Sequence, residues 1–165
     1  MNNSIIEIFS DGSCNTQFKA GAWVAILICQ EKEIILSGFA ENTTNNRMEL
    51  SAVIEAIDFA DKNLMSGFLK IYTDSQYVTN ITLRKEKLAG KDFHTNKGMP
   101  IQNSDLVQKF IRQIESHDLE FIKVKAHQKF NGEREIYYNR EVDKLARKSV
   151  RESVCLLLAG RVAKP

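Results

Sequence analysis

Apolar residues gather in three early stretches, Ile5 to Ser10, Trp23 to Cys29 and Ile34 to Phe39, with the polar segment Gln30 to Glu33 between the second and third. Short apolar stretches bounded by turn-formers read as β-strands, and three in succession predict an antiparallel meander. From Asn46 the period changes. Met48, Ala52, Val53, Ala56, Ile57 and Ala60 recur at helical spacing behind Thr43-Thr44-Asn45-Asn46, a polar run that can cap a helix, which should end near Asn63. Phe68 to Thr73 predicts a fourth strand and Ser75 to Leu83 a short helix directly after it. Asp105 to Ser116, following Pro100, predicts another helix, Leu119 to Val124 a fifth strand, and Asn139 to Arg151 a final helix carrying Val142, Leu145, Ala146 and Val150. The pattern assigns no element to residues 84–98, which are polar, basic and broken by Gly90 and Gly98. The tail from Glu152 to Pro165 fits a helical extension, an extra strand or a disordered end equally well.

A strand meander followed by alternating strands and helices predicts an α/β fold, a mixed five-stranded sheet with helices on both faces. The 165 residues, 43% of them hydrophobic, suffice for one domain with its own core, spanning 1–165 with the core over about 4–151 and a C-terminal extension from 152. Cys14, Cys29 and Cys155 are odd in number, widely spaced and free of any CxxC pattern, which argues against a disulfide framework or a zinc site and suits a reducing cytoplasm. The N-terminus lacks the basic and apolar regions of a signal peptide, and apolar runs such as Val154 to Ala159 are far too short to span a membrane. A soluble protein is expected, a monomer with no obligate protein partner.

Net charge of +2 does not by itself mark a nucleic-acid binder, but the charges are unevenly placed. Arg84, Lys85, Lys87, Lys91 and Lys97 face only Glu86 and Asp92, and Lys144, Arg147, Lys148 and Arg151 follow Asp143.

Four carboxylates stand at positions where chemistry can assemble. Asp11 and Asp74 each follow an apolar stretch where a strand should stop; Glu49 and Asp143 fall in the first turns of two helices. Each has a plain structural explanation. Asp11-Gly12 is a good turn dipeptide, Glu49 three residues after Asn46 resembles a capping box, Asp74 is placed to cap the helix beginning at Ser75, and Asp143 precedes Arg147 by the four residues of a helical ion pair. Geometry offers one explanation for all four. With the first and fourth strands as parallel neighbours, Asp11 and Asp74 emerge side by side at the carboxyl ends, where open α/β sheets place their ligands, and Glu49 and Asp143 approach from the flanks. Crowded carboxylates repel, and hard divalent cations such as Mg²⁺ or Mn²⁺ relieve that repulsion through oxygen ligands. Two such ions about 3.5–4 Å apart form a device for cleaving phosphodiesters.

At these residues the chain resembles the type 1 ribonuclease H family. Asp11-Gly12-Ser13-Cys14, Thr43 to Leu50, Thr73-Asp74-Ser75-Gln76-Tyr77-Val78, Val124-Lys125-Ala126-His127 and Asn139 to Ala146 appear in family order, and the resemblance covers residues 4 to about 151. It implies a ribonuclease H-like fold, strands 4 and 5 parallel to strand 1, and hydrolysis of the RNA strand of RNA–DNA hybrids with two Mg²⁺ ions. Asp11, Glu49, Asp74 and Asp143 correspond to the metal-binding carboxylates and His127 to a mobile-loop histidine assisting proton transfer or product release. Cys14, Asn45, Asn46 and Gln76 correspond to positions that read the minor groove of the hybrid, where the 2′-hydroxyl separates RNA from DNA, and Gln17 to a position that touches the hybrid. Thr44 and Asn103 correspond to a DNA-phosphate pocket, Asn139 belongs to the substrate-binding set, and Arg84, Lys85, Lys87, Lys91, Phe93 and Lys97 occupy the family's basic protrusion.

The chain departs from the family at Gln17, where an asparagine is usual, and at Arg84, Leu88 and Val107, where many relatives carry tryptophan. The stretch 128–138 between His127 and Asn139 is longer than in many relatives. Two alternatives share this fold: a module that binds hybrids without cutting them, and a ribonuclease H domain of a reverse transcriptase polyprotein. Four mutually repelling acids argue against the first, and a first strand close to the N-terminus with no linker favours a free-standing protein over the second.

Overall fold

Ser4–Asn15 form a single strand, β1, twice the predicted length. The structure, a computed structural model, describes residues 4–64, 67–126 and 128–162, with side chains described through 160. The remaining strands are β2 (Ala20–Cys29), β3 (Lys32–Glu41), β4 (Gly67–Thr73) and β5 (Leu119–Lys123); the helices are α1 (Asn45–Asn63), α2 (Gln76–Gly90), α3 (Ser104–Ser116) and α4 (Arg134–Val162).

The five strands lie in the order β3-β2-β1-β4-β5. β1, β2 and β3 form the expected antiparallel meander, with Ile6 opposite Cys29 and Asn15 opposite Ala20. β4 runs parallel to β1 from Ser4 opposite Gly67 to Phe9 opposite Tyr72, and β5 runs parallel to β4. The fold is therefore the mixed sheet that the sequence predicts.

Strand periodicity sorts the core into two layers, since successive side chains point to opposite faces. Ile6, Ile8, Ala25, Leu27, Leu69 and Ile71 pack against α1, α2 and α3, whose buried residues include Leu50, Ile54, Ile57, Val78, Val107 and Phe110. Phe9, Val24, Ile26 and Tyr72 face Val142 and Ala146 of α4. β2 is buried on both faces and accordingly reads as one continuous apolar run. Phe9 stacks on Tyr72 with centroids 4.5 Å apart and lies 4.9 Å from Tyr138 of α4, and burial of such a ring contributes about 1.5–3 kcal/mol.

Two expectations need correction in extent. The helix expected over Ser75 to Leu83 continues to Gly90, because a glycine in an exposed last turn costs only about 1 kcal/mol and ends the helix rather than preventing it. The final helix begins at Arg134, so the stretch between His127 and Asn139 is partly helical, and it runs without a break to Val162. The tail is therefore a helical extension over its described residues, with Val150, Val154 and Leu157 at helical spacing packed on Phe18, Ala20 and Ala22.

Candidate active site

Asp11 stands two residues beyond Phe9, the last β1 residue paired with β4, while β1 itself continues along β2 with Asp11 opposite Val24 and Gly12 opposite Trp23. Asp11-Gly12 is thus not a turn, and Asp11 is not at the end of its strand. It lies where the parallel pairing opens, and Asp74 directly follows the end of β4 on the neighbouring strand. The strand-end argument holds for the β1/β4 seam although it misplaces the end of β1.

Gly12 fixes the approach of the next carboxylate. A Cβ at this position would lie 2.2 Å from the backbone nitrogen of Glu49 and 2.4 Å from the carbonyl carbon of Met48. Only glycine lets α1 cross β1 so closely, and the crossing brings Glu49 beside Asp11. The capping-box explanation of Glu49 fails, because the N-cap is Thr44, whose Oγ1 accepts from the Arg47 amide at 3.3 Å, and Glu49 sits more than one turn into the helix. Its carboxylate instead accepts from Asn45 Nδ2 at 2.7 Å and from the Ser75 hydroxyl. Ser75 also caps α2 by accepting from the Val78 amide at 3.1 Å, so Asp74 is not the cap and its side chain is free for other work.

Asp74 accepts from Asn139 Nδ2 at 3.2 Å; Asn139 is buried in the second turn of α4. One turn on, Asp143 accepts from Arg147 Nε at 2.7 Å, the helical ion pair anticipated from the spacing. Of the four plain structural explanations, this is the one the geometry supports. An open cleft of about 470 Å³ runs beside Asp74, Asn139 and Asp143 and is flanked by Lys129, Arg140 and Lys144.

The four carboxylates share an electrostatic neighbourhood. Burial, then the charges of Asp74, Asp143 and Glu49, push the Asp11 carboxyl up to about 8, against a partial offset from the Gly12 amide. Glu49 is also raised, chiefly by burial, with Asp74 adding to the shift and the Ser75 and Asn45 bonds opposing it. Among the described residues no three acidic, histidine or cysteine side chains converge into a ready-made ion cage. Glu49 is drawn toward Ser75 and Asn45, Asp74 toward Asn139, and Asp143 toward Arg147. The oxygen-only donor set and the raised Asp11 nevertheless fit a hard divalent cation, which would restore full ionisation of Asp11.

Other residues anticipated from the sequence fall around this centre. Cys14 Sγ donates to the Thr43 carbonyl at 3.5 Å, Gln17 is exposed in the turn between β1 and β2, and Asn45 and Asn46 open α1. Gln76 is exposed at the start of α2 and accepts from Lys123 Nζ at 3.0 Å. Asn103 has left-handed backbone (φ 56°) before α3, makes no cap bond, and instead donates to the Tyr77 hydroxyl at 3.2 Å while accepting from Arg47 at 3.5 Å. Arg47 in turn grips Asp105 through two bonds of 2.9 and 2.6 Å. Arg84, Lys85 and Lys87 lie on α2, and Lys91 and Lys97 are exposed beyond it, but Phe93 is half-buried against the main core rather than displayed. His127 lies outside the described residues.

Sequence reasoning did not place Ser75, Arg47 or Tyr77 among the site residues. Ser75 had a signal, the serine directly after the strand-end aspartate; the contacts of Arg47 and Tyr77 with Asn103 span 56 and 26 residues and have no local signature.

Solved structures with this architecture include a type 1 RNase H with the type 2 active-site motif (TM-score 0.76, 21% identity, 92% of this chain and 74% of that one) and a foamy viral protease-reverse transcriptase in complex with dsDNA (TM-score 0.67, 18% identity, 90% and 94%). These define a ribonuclease H-like fold. The RNase H family model matches residues 3–151. Proteins named Ribonuclease H from Caldanaerobacter subterraneus subsp. tengcongensis (33% identity, 93% of this chain and 95% of that one) and Dechloromonas aromatica (41% identity, 89% and 94%) are similar along nearly their whole length. The chain belongs to the ribonuclease H family and is an endoribonuclease of that class.

Proposed function

We propose that the protein hydrolyses the RNA strand of RNA–DNA hybrids internally, leaving 5′-phosphate and 3′-hydroxyl ends. The observation that carries this reading is the Asp11 carboxyl, pushed up to about 8 by burial and by three acidic neighbours, an arrangement with no structural benefit unless cations join it. Asp11, Glu49, Asp74 and Asp143 would hold two Mg²⁺ ions, with Mn²⁺ as a substitute. When bound, these supply an activated water and stabilise the leaving oxygen. Asp11 would serve both ions, Asp143 would serve the water-activating side, and Glu49 with Asp74 the leaving-group side.

The surrounding side chains orient these ligands. Ser75 and Asn45 hold Glu49, Asn139 holds Asp74, and Arg147 holds Asp143. Cys14, Asn45, Asn46 and Gln76 line the minor groove of the hybrid, Gln17 touches the hybrid, and Thr44 with Asn103 receives a DNA phosphate. His127 assists proton transfer or product release. Arg84, Lys85, Lys87, Lys91 and Lys97 contact backbone phosphate outside the centre. No helix among the described residues is long and apolar enough to cross a membrane, and the protein works as a single-domain monomer in the cytoplasm.

The direct test is cleavage of an end-labelled RNA–DNA hybrid with and without Mg²⁺. Metal-dependent scission of the RNA strand is expected, with Asp11→Asn lowering the rate by about 10³-fold or more. An intact RNA strand overturns the activity; full activity in Asp11→Asn overturns the assignment of the centre.

A further inference from the structure

One row of cations on α4 starts at the cleft and runs beyond the site described above. Arg140, Lys144, Arg147 and Arg151 occupy successive spacings of four, three and four residues on α4, which keeps all four on one face of a helix. All are exposed, whereas Val142, Ala146, Val150 and Val154 face the sheet and the β1–β2 hairpin. Asp143 stands between the buried face and this cationic face. At 1.5 Å per residue the row extends about 16 Å, enough to follow about three successive phosphates of one strand.

The row is continuous with the active-site cleft and is poorly neutralised. Arg140 and Lys144 line the cleft beside Asp74 and Asp143. Arg147 is paired with Asp143, and Lys144 has a weak contact with Glu141 at 3.7 Å. Among the described residues Arg140, Arg151 and the neighbouring Lys129 make no ion pair, while Lys148 on the flank reaches Glu152 at 3.7 Å. A row of cations leaving a phosphodiester-cleaving centre complements a polyanion whose charges repeat along a line.

We propose that Arg140, Lys144 and Arg151 form a second phosphate track, which holds the backbone of the hybrid beyond the cleft on the side opposite the basic helix α2. The track rests on the proposed hybrid substrate and adds affinity and length preference without touching the reacting atoms. Its guanidinium and ammonium groups act on phosphate oxygens and release counterions, so its contribution falls as salt rises. Sequence preference is unaffected, because phosphates are the same at every base.

The test compares wild type with Arg151→Gln, Arg151→Glu and Arg151→Lys on hybrids of about 24 and about 8 base pairs. On the long hybrid Arg151→Gln is expected to raise KM about threefold with kcat unchanged, Arg151→Glu to raise it further, and Arg151→Lys to restore it. On the short hybrid the variants and wild type should coincide. Binding of the long hybrid in EDTA, followed by fluorescence anisotropy from 50 to 200 mM salt, is expected to lose about 0.9 of salt slope for Arg151→Gln and about 2.7 for the triple change Arg140→Gln, Lys144→Gln, Arg151→Gln. An unchanged KM and salt slope overturns the track, as does an equal loss on the short hybrid. If the wild-type protein does not cut hybrids, the proposed activity fails while the EDTA binding series still decides whether the track binds this polyanion.

Discussion

Two groups of carboxylates in this molecule are opposites. At the β1/β4 seam, burial and then the charges of Asp74, Asp143 and Glu49 raise the Asp11 carboxyl, burial and Asp74 raise Glu49, and Arg147 on Asp143 is the one cation bonded to the four acids among the described residues. On α1, Glu55, Asp58 and Asp61 face α3 and the residue after it, and every one has a partner. Lys109 Nζ lies 2.7 Å from Asp58 and 3.9 Å from Glu55, Gln113 donates to Asp58 at 2.6 Å, and His117 Nε2 lies 2.9 Å from Asp61. The α1 group is complete within the protein and ties two helices together. Apart from Arg147 on Asp143, the seam group has no cationic complement among the described residues, so its folded state carries unrelieved repulsion. Acidic residues alone do not separate the two groups; the lack of compensation around one buried carboxyl does.

Altering the approach of α1 should disrupt the seam most. Gly12→Ala places a methyl group against the Glu49 and Met48 backbone, and is expected to cost about 3 kcal/mol, a fall of about 6–12 °C in Tm by calorimetry. Displacing Glu49 by about 1 Å should also reduce hybrid cleavage about a hundredfold. A variant with wild-type stability and rate would break the argument that close packing at Gly12 builds the site.

The electrostatic half of the contrast is tested by pH in EDTA. Asp11 keeps a proton in the folded protein up to about 8 but releases it near 3.8 when unfolded, so the folded state binds more protons across that window. Stability therefore falls as pH rises from about 4 to about 8, and the raised Glu49 acts in the same direction. Asp11→Asn should flatten this part of the profile and gain about 2 kcal/mol at pH 8 in thermal melts, although it removes activity. A parallel profile for the two proteins would show that Asp11 is not under repulsion. His117 carries an opposite dependence. Burial pulls its pKa down, but the Gln113 carbonyl and Asp61 raise it overall, so its stabilisation is full below about pH 6.5 and is lost as pH rises through the folded value.

Smaller effects sharpen the comparison. Asn139→Ala removes the donor that orients Asp74 and is expected to lower kcat about tenfold with Mg²⁺ affinity reduced in parallel, measured by metal titration of cleavage. Lys109→Met in the paired cluster should change stability by no more than about 1 kcal/mol in denaturant titrations, because the pair is partly exposed. It should leave cleavage unchanged; a loss of activity there would erase the distinction between the two groups.

The apolar periodicities revealed most of the fold because burial acts on local sequence. Short apolar runs bounded by turn-formers marked the strands of the meander, and the helical spacing of Met48 to Ala60 marked α1. Where the outcome depended on partners distant in sequence, the local signal misled or was silent. Asp11-Gly12 has the composition of a turn, yet Trp23 and Val24 of β2 hold it in a strand. Glu49 has the spacing of a capping box, yet Thr44 takes the cap. Phe93 lies in a basic polar segment, yet the core claims its ring. The tail after Glu152 became helical through contacts of Val154 and Leu157 with the β1–β2 hairpin, which no local pattern announces.

By itself, then, the sequence determined the order and type of the elements and the identity of the four acids, because strand and helix periods and short motifs are written in adjacent residues. Only the tertiary structure decided that Asp11 lies inside a long strand, that α1 touches it through Gly12, and that Ser75 and Asn139 hold Glu49 and Asp74. Those outcomes depend on which backbones meet in space and on how closely they approach. Such meetings are fixed by the packing of the whole sheet and its helices, not by any residue's neighbours in the chain.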